Sequence, residues 1–171
     1  MSLATEPAVT SRKIRLWNDP VARSDRVLAA ASSVFLRCAL GFSFLSAVAD
    51  RFGWWGAFGQ PNVAWGNFAR FVAYTGQLNW FLPEATYPTL AITATIAEAL
   101  LGILLVLGWQ TRIAALLSGA MLFVFAVTMT AALGIKAPLT FGVFTAMGGA
   151  FLLASCAEFP FSIDHLRRRV A

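Results

Sequence analysis

Apolar residues run through this chain in long windows that hold one ionisable residue or none, separated by polar connections. Four windows satisfy the roughly 20 apolar residues that a helix needs to cross a bilayer core: 27–49, 89–107, 113–133 and 138–156. Pro88 and Pro138 stand at the starts of the second and fourth, where a missing N–H costs nothing, and Gly108 and Gly134 follow the second and third. The connections after the second and third windows are only a few residues long, which predicts antiparallel neighbours. The expected fold class is therefore all-α: an integral membrane four-helix up-down bundle over 27–156. It is flanked by a basic N-terminal segment, 1–26, and a basic tail, 157–171.

Between the first two windows, residues 50–88 hold four of the six tryptophans, Trp54, Trp55, Trp65 and Trp80, with both tyrosines, Tyr74 and Tyr87. Such rings prefer the headgroup level of a membrane. Within "NVAWGNFARFVAYTG", Trp65, Phe68, Ala69 and Val72 project to one side of a helix and Asn67, Arg70 and Tyr74 to the other. This predicts an interfacial amphipathic helix entered at Pro61 and Asn62. It reads either as a lid sealing the bundle or as an aromatic vestibule of Trp54, Trp55, Trp65, Phe68 and Trp80 for a flat, lipid-soluble ligand such as a quinone.

Composition agrees with lipid as the solvent. The 171 residues are 58% hydrophobic and 12% charged, against about 45–50% apolar and about 25% charged in soluble domains. The formal net charge of +5 is not gathered on a nucleic-acid-binding module, so anionic headgroups are the expected partner. With the N-terminus inside, Arg12, Lys13, Arg15, Arg23, Arg26, Arg112 and Arg167 to Arg169 face the cytoplasm, against Arg51, Arg70 and Lys136 outside. That bias places both termini in the cytoplasm. "AVA" at 47–49 resembles a signal-peptidase site, but the preceding apolar run exceeds the roughly 7–15 residues of a secretory segment and contains Arg37.

Arg37 and Glu98 are, cysteines aside, the ionisable side chains inside the four windows. At about 1.5 Å per residue, Arg37 lies roughly 15 Å from one end of its window and Glu98 roughly 13–15 Å from the opposite end of its own. A lone charge at mid-membrane costs at least about 2.5–3.5 kcal/mol, so the two are expected to pair and bridge the first two helices. Gly41 and Gly102, each one turn beyond its charged residue, allow close backbone approach. Ala39, Ser43 and Ala47 repeat at four-residue spacing, as on packed membrane helices. The pair reads as a staple, or as a staple that is also a ligand or proton site.

Other chemistry is thin. Cys38 and Cys156 form no C-x-x-C motif, and depth separates them beyond disulfide reach. The single histidine, His165, lies in the polar tail, and no zinc spacing, P-loop, dinucleotide fingerprint or nucleophile elbow occurs. No metal site is expected. The glycines of "MGGA" read as packing residues, and the hydroxyls of Ser118, Thr128, Thr130 and Thr145 as bonded to their own helices.

"RCALG" in the first window, a basic residue at that helix's end within "ADRFG", and a second-window glutamate followed by glycine and "LGWQTRIAAL" resemble the DoxX-like family of small four-helix membrane proteins. The resemblance covers about residues 30–155. Many members carry a lysine where this chain has Asp50 and Arg51. The family is named for the membrane subunit of a thiosulfate:quinone oxidoreductase, and relatives are linked to membrane thiol and oxidant handling. The resemblance implies a bacterial inner-membrane subunit or quinone-binding component of a redox system, with redox-complex proteins as partners and no catalytic activity of its own. Two other readings stay open: a small-solute or proton carrier using Arg37 and Glu98, and a membrane scaffold or assembly protein.

Overall fold

The computed structural model describes residues 20–170; Arg12, Lys13 and Arg15 of the basic N-terminal segment lie outside the described residues. The described chain is all helical: α1 Pro20–Arg51, α2 Phe68–Leu78, a 3-10 turn Glu84–Thr86, α3 Tyr87–Leu107, α4 Thr111–Leu133, α5 Lys136–Thr140, α6 Val143–Ser155 and α7 Ile163–Val170. Three helices, α1, α3 and α4, are long and apolar enough to cross a membrane. Their outward faces are apolar as well: Ile92, Ile96, Leu100, Ile103 and Leu107 form an exposed stripe along α3. A helix that is apolar all round, with much of it uncovered by protein, is covered by lipid.

Local chemistry sets the ends. Pro88 sits in the first turn of α3, and Gly108 ends that helix in the left-handed conformation with φ +67°, which glycine adopts without a Cβ clash. The next helix, α4, has no cap from its own Gln110 side chain. Asp164, more than fifty residues on, supplies it: Oδ1 accepts from the Gln110 N–H (2.9 Å) and Oδ2 from the Thr111 N–H (2.7 Å). A carboxylate there also faces the positive end of the helix dipole.

The fourth predicted window, 138–156, is not one helix. Pro138 is buried inside the short α5, the chain turns at Phe141 and Gly142 (φ +66°), and α6 restarts at Val143 with 13 residues. Such a helix is about 20 Å long, short of the roughly 30 Å hydrocarbon core. The left-handed Gly142 is the physical reason, since it cannot continue a right-handed helix.

Packing follows the small residues. α1 packs chiefly on α3, and α4 on α6. A Cβ added at Gly41 would stand 2.9 Å from the Gly102 carbonyl oxygen, and one at Gly119 would stand 2.6 Å from the Phe151 ring. Of the two "MGGA" glycines, a Cβ added at Gly149 would meet Leu36 of α1 at 3.0 Å, whereas one added at Gly148 would meet nothing within 4 Å. Gly149 is the packing glycine of the two. Leu40, Phe44, Leu101, Leu105, Leu122 and Leu153 anchor the core, and Phe159 from the tail joins it.

The helix expected to be entered at Pro61 and Asn62 also begins later, at Phe68. Its N-cap is Asn67, whose Oδ1 accepts from the Arg70 N–H (3.0 Å), not Asn62. Its buried residues are Phe71, Thr75, Gly76 and Leu78, a face turned from the predicted one; Ala69 is exposed. Gly76 lets α2 sit against the Tyr87 ring at the head of α3.

Candidate functional site

The charged residues at the end of α1 build the most elaborate site. Arg51 Nη2 donates to Glu98 Oε2 at 2.6 Å, with both side chains almost wholly buried. Arg51 Nη1 donates to Thr95 Oγ1 (2.8 Å), whose own hydroxyl donates to the Ala91 carbonyl (2.8 Å). The guanidinium lies 3.6 Å from the centre of the Phe71 ring and 5.3 Å from that of Trp65. Trp65 in turn meets Phe71 edge-on at 5.0 Å and tilts against Tyr74 at 5.8 Å. A cation held by a carboxylate, a hydroxyl and two ring faces is solvated by protein in place of water.

The expected pairing of Arg37 with Glu98 therefore does not form, for two geometric reasons. The Gly41–Gly102 contact sets α1 and α3 antiparallel, and Gly102 also touches Leu45. That register puts Glu98 level with Leu45, about 12 Å along α1 from Arg37 at about 1.5 Å per residue. Side chains also lean toward the N-terminus of their own helix. On antiparallel helices, Arg51 leans back into the bundle while Glu98 leans toward Arg51; Arg37 leans away from both.

Arg37 is solvated at the opposite end of the bundle. It is 3% exposed, with Nη2 donating to the Phe161 carbonyl (2.6 Å) and Nη1 to that of Pro160 (3.4 Å). Its Nη1 also lies where a Cβ at Gly108 would clash, so the cation sits against the C-terminal end of α3, where the helix dipole is negative. Phe161 reaches this contact in a left-handed conformation, φ +50°, with its ring 85% exposed. The polar tail is thus part of the fold, held by Arg37 and Asp164. Neither anchoring contact has a local sequence signal, because donor and acceptor are more than fifty residues apart.

Asp50 closes the aromatic loop. It is 5% exposed, and its Oδ2 accepts the backbone N–H groups of Ala64 and Trp65, each at 3.0 Å. Its Oδ1 is buried without a partner. Beside it runs a groove of about 560 Å³, lined by Ala39, Phe42, Ser43, Ser46 and Ala47 of α1 and by Asp50, Trp55, Asn62, Ala64 and Trp65. The Ala39, Ser43 and Ala47 row, expected to pack against a helix, lines this open groove. Of the five proposed vestibule residues, Trp55 and Trp65 line it, with the Trp55 Nε1–H donating to the Ser46 carbonyl (3.0 Å). Phe68 instead stacks on Phe52 at 6.2 Å, and Trp54 and Trp80 stand out on the surface, 80% and 66% exposed. Burial pushes the Tyr74 phenol above its ordinary pKa, so Tyr74 stays neutral behind Trp65.

No group of three or more His, Cys, Asp or Glu residues that could hold a metal occurs among the described residues, and Cys38 and Cys156 are free thiols. The DoxX family model matches residues 32–131, more than half of the chain. The protein belongs to the DoxX family. No curated protein and no solved structure matches it. The DoxX match takes in Asp50, Arg51, Thr95, Glu98 and both contacting glycines, so the whole aromatic-end site falls inside the family region. Arg37 is inside it too, but Pro160, Phe161 and Asp164 lie beyond the DoxX match.

Proposed function

We propose that this DoxX protein is a non-catalytic membrane component of a redox system in the bacterial inner membrane, holding a flat, lipid-soluble ligand of the quinone class. The arrangement proposed with it is a four-helix bundle in which α5 and α6 together make the fourth crossing, both termini are cytoplasmic and the aromatic end faces outward. The observation that carries the ligand reading is the groove of about 560 Å³ beside α1, open on one side and walled by Phe42, Trp55 and Trp65. Pockets of this size, mostly apolar with a few polar groups, suit small ligands. The carrier reading has less support: Glu98 is 2% exposed and its carboxylate is bonded to Arg51. A scaffold needs no such groove.

The test is ligand retention. Protein purified in lipid should bind a decyl-substituted benzoquinone or benzoquinol, and Ser43→Phe, which fills the groove from an exposed position, should abolish binding while leaving thermal stability unchanged. Trp65→Ala should weaken it too. Absence of binding in several lipid compositions refutes the proposal.

A further inference from the structure

The Arg37 end of the bundle carries a surface that the groove does not explain. Asp164 caps α4, its own N–H donates to the Gly108 carbonyl (3.1 Å), and Arg37 holds the Pro160 and Phe161 carbonyls. Phe159 lies in the core behind them. These contacts fix where α7 begins, and they use one side of it. Leu166 lies about 200° around the helix from Asp164 and is 64% exposed, and Ile163 is exposed as well. Phe161 takes the left-handed backbone that gives its carbonyl to Arg37 and turns its ring outward, and Trp109, in the turn between α3 and α4, is exposed too.

Charge around this apolar surface identifies what covers it. Arg112 and Arg167 are exposed, α7 continues through Arg168 and Arg169, and Arg23 and Arg26 lie at the same end on α1. Against them stand Asp25, Glu158 and Asp164, the last committed to α4. Water suits the arginines but not the rings, and a protein core suits the rings but not a run of arginines. The headgroup layer of a membrane suits both, with apolar side chains at the acyl boundary and guanidiniums among the phosphates. The long apolar helices α1, α3 and α4 already bring a bilayer to this end of the molecule. We propose that α7 and the Phe161 turn form an interfacial anchor for anionic phospholipid, with Phe161, Ile163 and Leu166 at the acyl boundary and the positive charge of α7 drawn to the lipid phosphates. The anchor goes beyond the ligand reading and rests on none of the groove residues.

The test measures depth. The full chain carries a nitroxide on Leu166→Cys, with Cys38 and Cys156 replaced by alanine, in nanodiscs of phosphatidylcholine alone or with about one-third phosphatidylglycerol. With phosphatidylglycerol present, oxygen should relax the label more strongly than a water-soluble nickel chelate does. In phosphatidylcholine alone, and in the triple variant Arg167→Gln, Arg168→Gln, Arg169→Gln, the nickel effect should rise, because each arginine near an anionic surface strengthens attachment about fivefold. A label more open to nickel than to oxygen in the phosphatidylglycerol discs overturns the proposal. So does a label shielded from both reagents, which marks a protein contact, and so does equal depth in the two lipids or in wild type and variant. If the label perturbs α7, unlabelled protein decides: wild type should carry more phosphatidylglycerol through native mass spectrometry than the triple variant, and equal lipid counts overturn the anchor.

Discussion

Arg37 and Arg51 lie on the same helix, and both guanidiniums are almost fully buried, yet they are solvated by different means. Arg51 has a carboxylate, a hydroxyl and ring faces; Arg37 has two carbonyls and a helix end. Breaking a buried ion pair leaves an uncompensated charge, at a cost of about 3–5 kcal/mol. Arg51→Leu or Glu98→Leu alone should therefore lower stability by that order, and the double change should recover much of it. Arg37→Leu combined with Glu98→Leu should instead be additive, since the two share no partner. Unfolding measured in one detergent gives both cycles, and additivity for Arg51 with Glu98 would contradict the site described above. Arg51 was legible in the sequence only as a helix-end cation. It falls just past the first apolar window, and a count of depth along the axis ignores the lean of side chains.

At the scale of elements, the α1–α3 contact sets the register on which the site depends. Gly41→Ala places a methyl 2.7 Å from the Val106 side chain and 2.9 Å from the Gly102 carbonyl. Overpacking of this kind costs about 1–3 kcal/mol. Gly148→Ala, in α6 where an added Cβ would meet nothing within 4 Å, should do the opposite and stabilise by about 0.5–1 kcal/mol through helix propensity alone. Opposite shifts in melting temperature for the two variants check the assignment; a shared sign contradicts it. The sequence shows both positions as glycine inside an apolar helix, and nothing local tells them apart. What differs is the backbone across the gap.

For the whole molecule, outward apolar faces make the bilayer the expected solvent, and the distribution of lysine and arginine sets the proposed orientation. Asn67 caps α2 at the aromatic end and is exposed. A cysteine introduced there, Asn67→Cys, should be labelled by a membrane-impermeant maleimide added to intact spheroplasts. Labelling only after the membrane is broken would reverse the topology. The native thiols set the background, so the variant is made with Cys38 and Cys156 replaced by alanine.

Apolar window length, proline at helix starts and glycine at helix ends depend on neighbours along the chain, and they suffice for the helical class and the three long helices; short motifs such as "RCALG" carry the resemblance to the family. Two glycines suited to close approach could also be named from spacing alone. The partner of each buried charge could not, because it is set by the register between helices and by the lean of each side chain along its own. The break at Gly142 reflects a local backbone angle within an apolar run that reads as continuous. The Asp164 cap on α4, the Arg37 hold on the tail and the orphaned oxygen of Asp50 join groups distant in sequence. Only the tertiary structure brings them together, since hydrogen bonds act over about 3 Å of space whatever length of chain lies between.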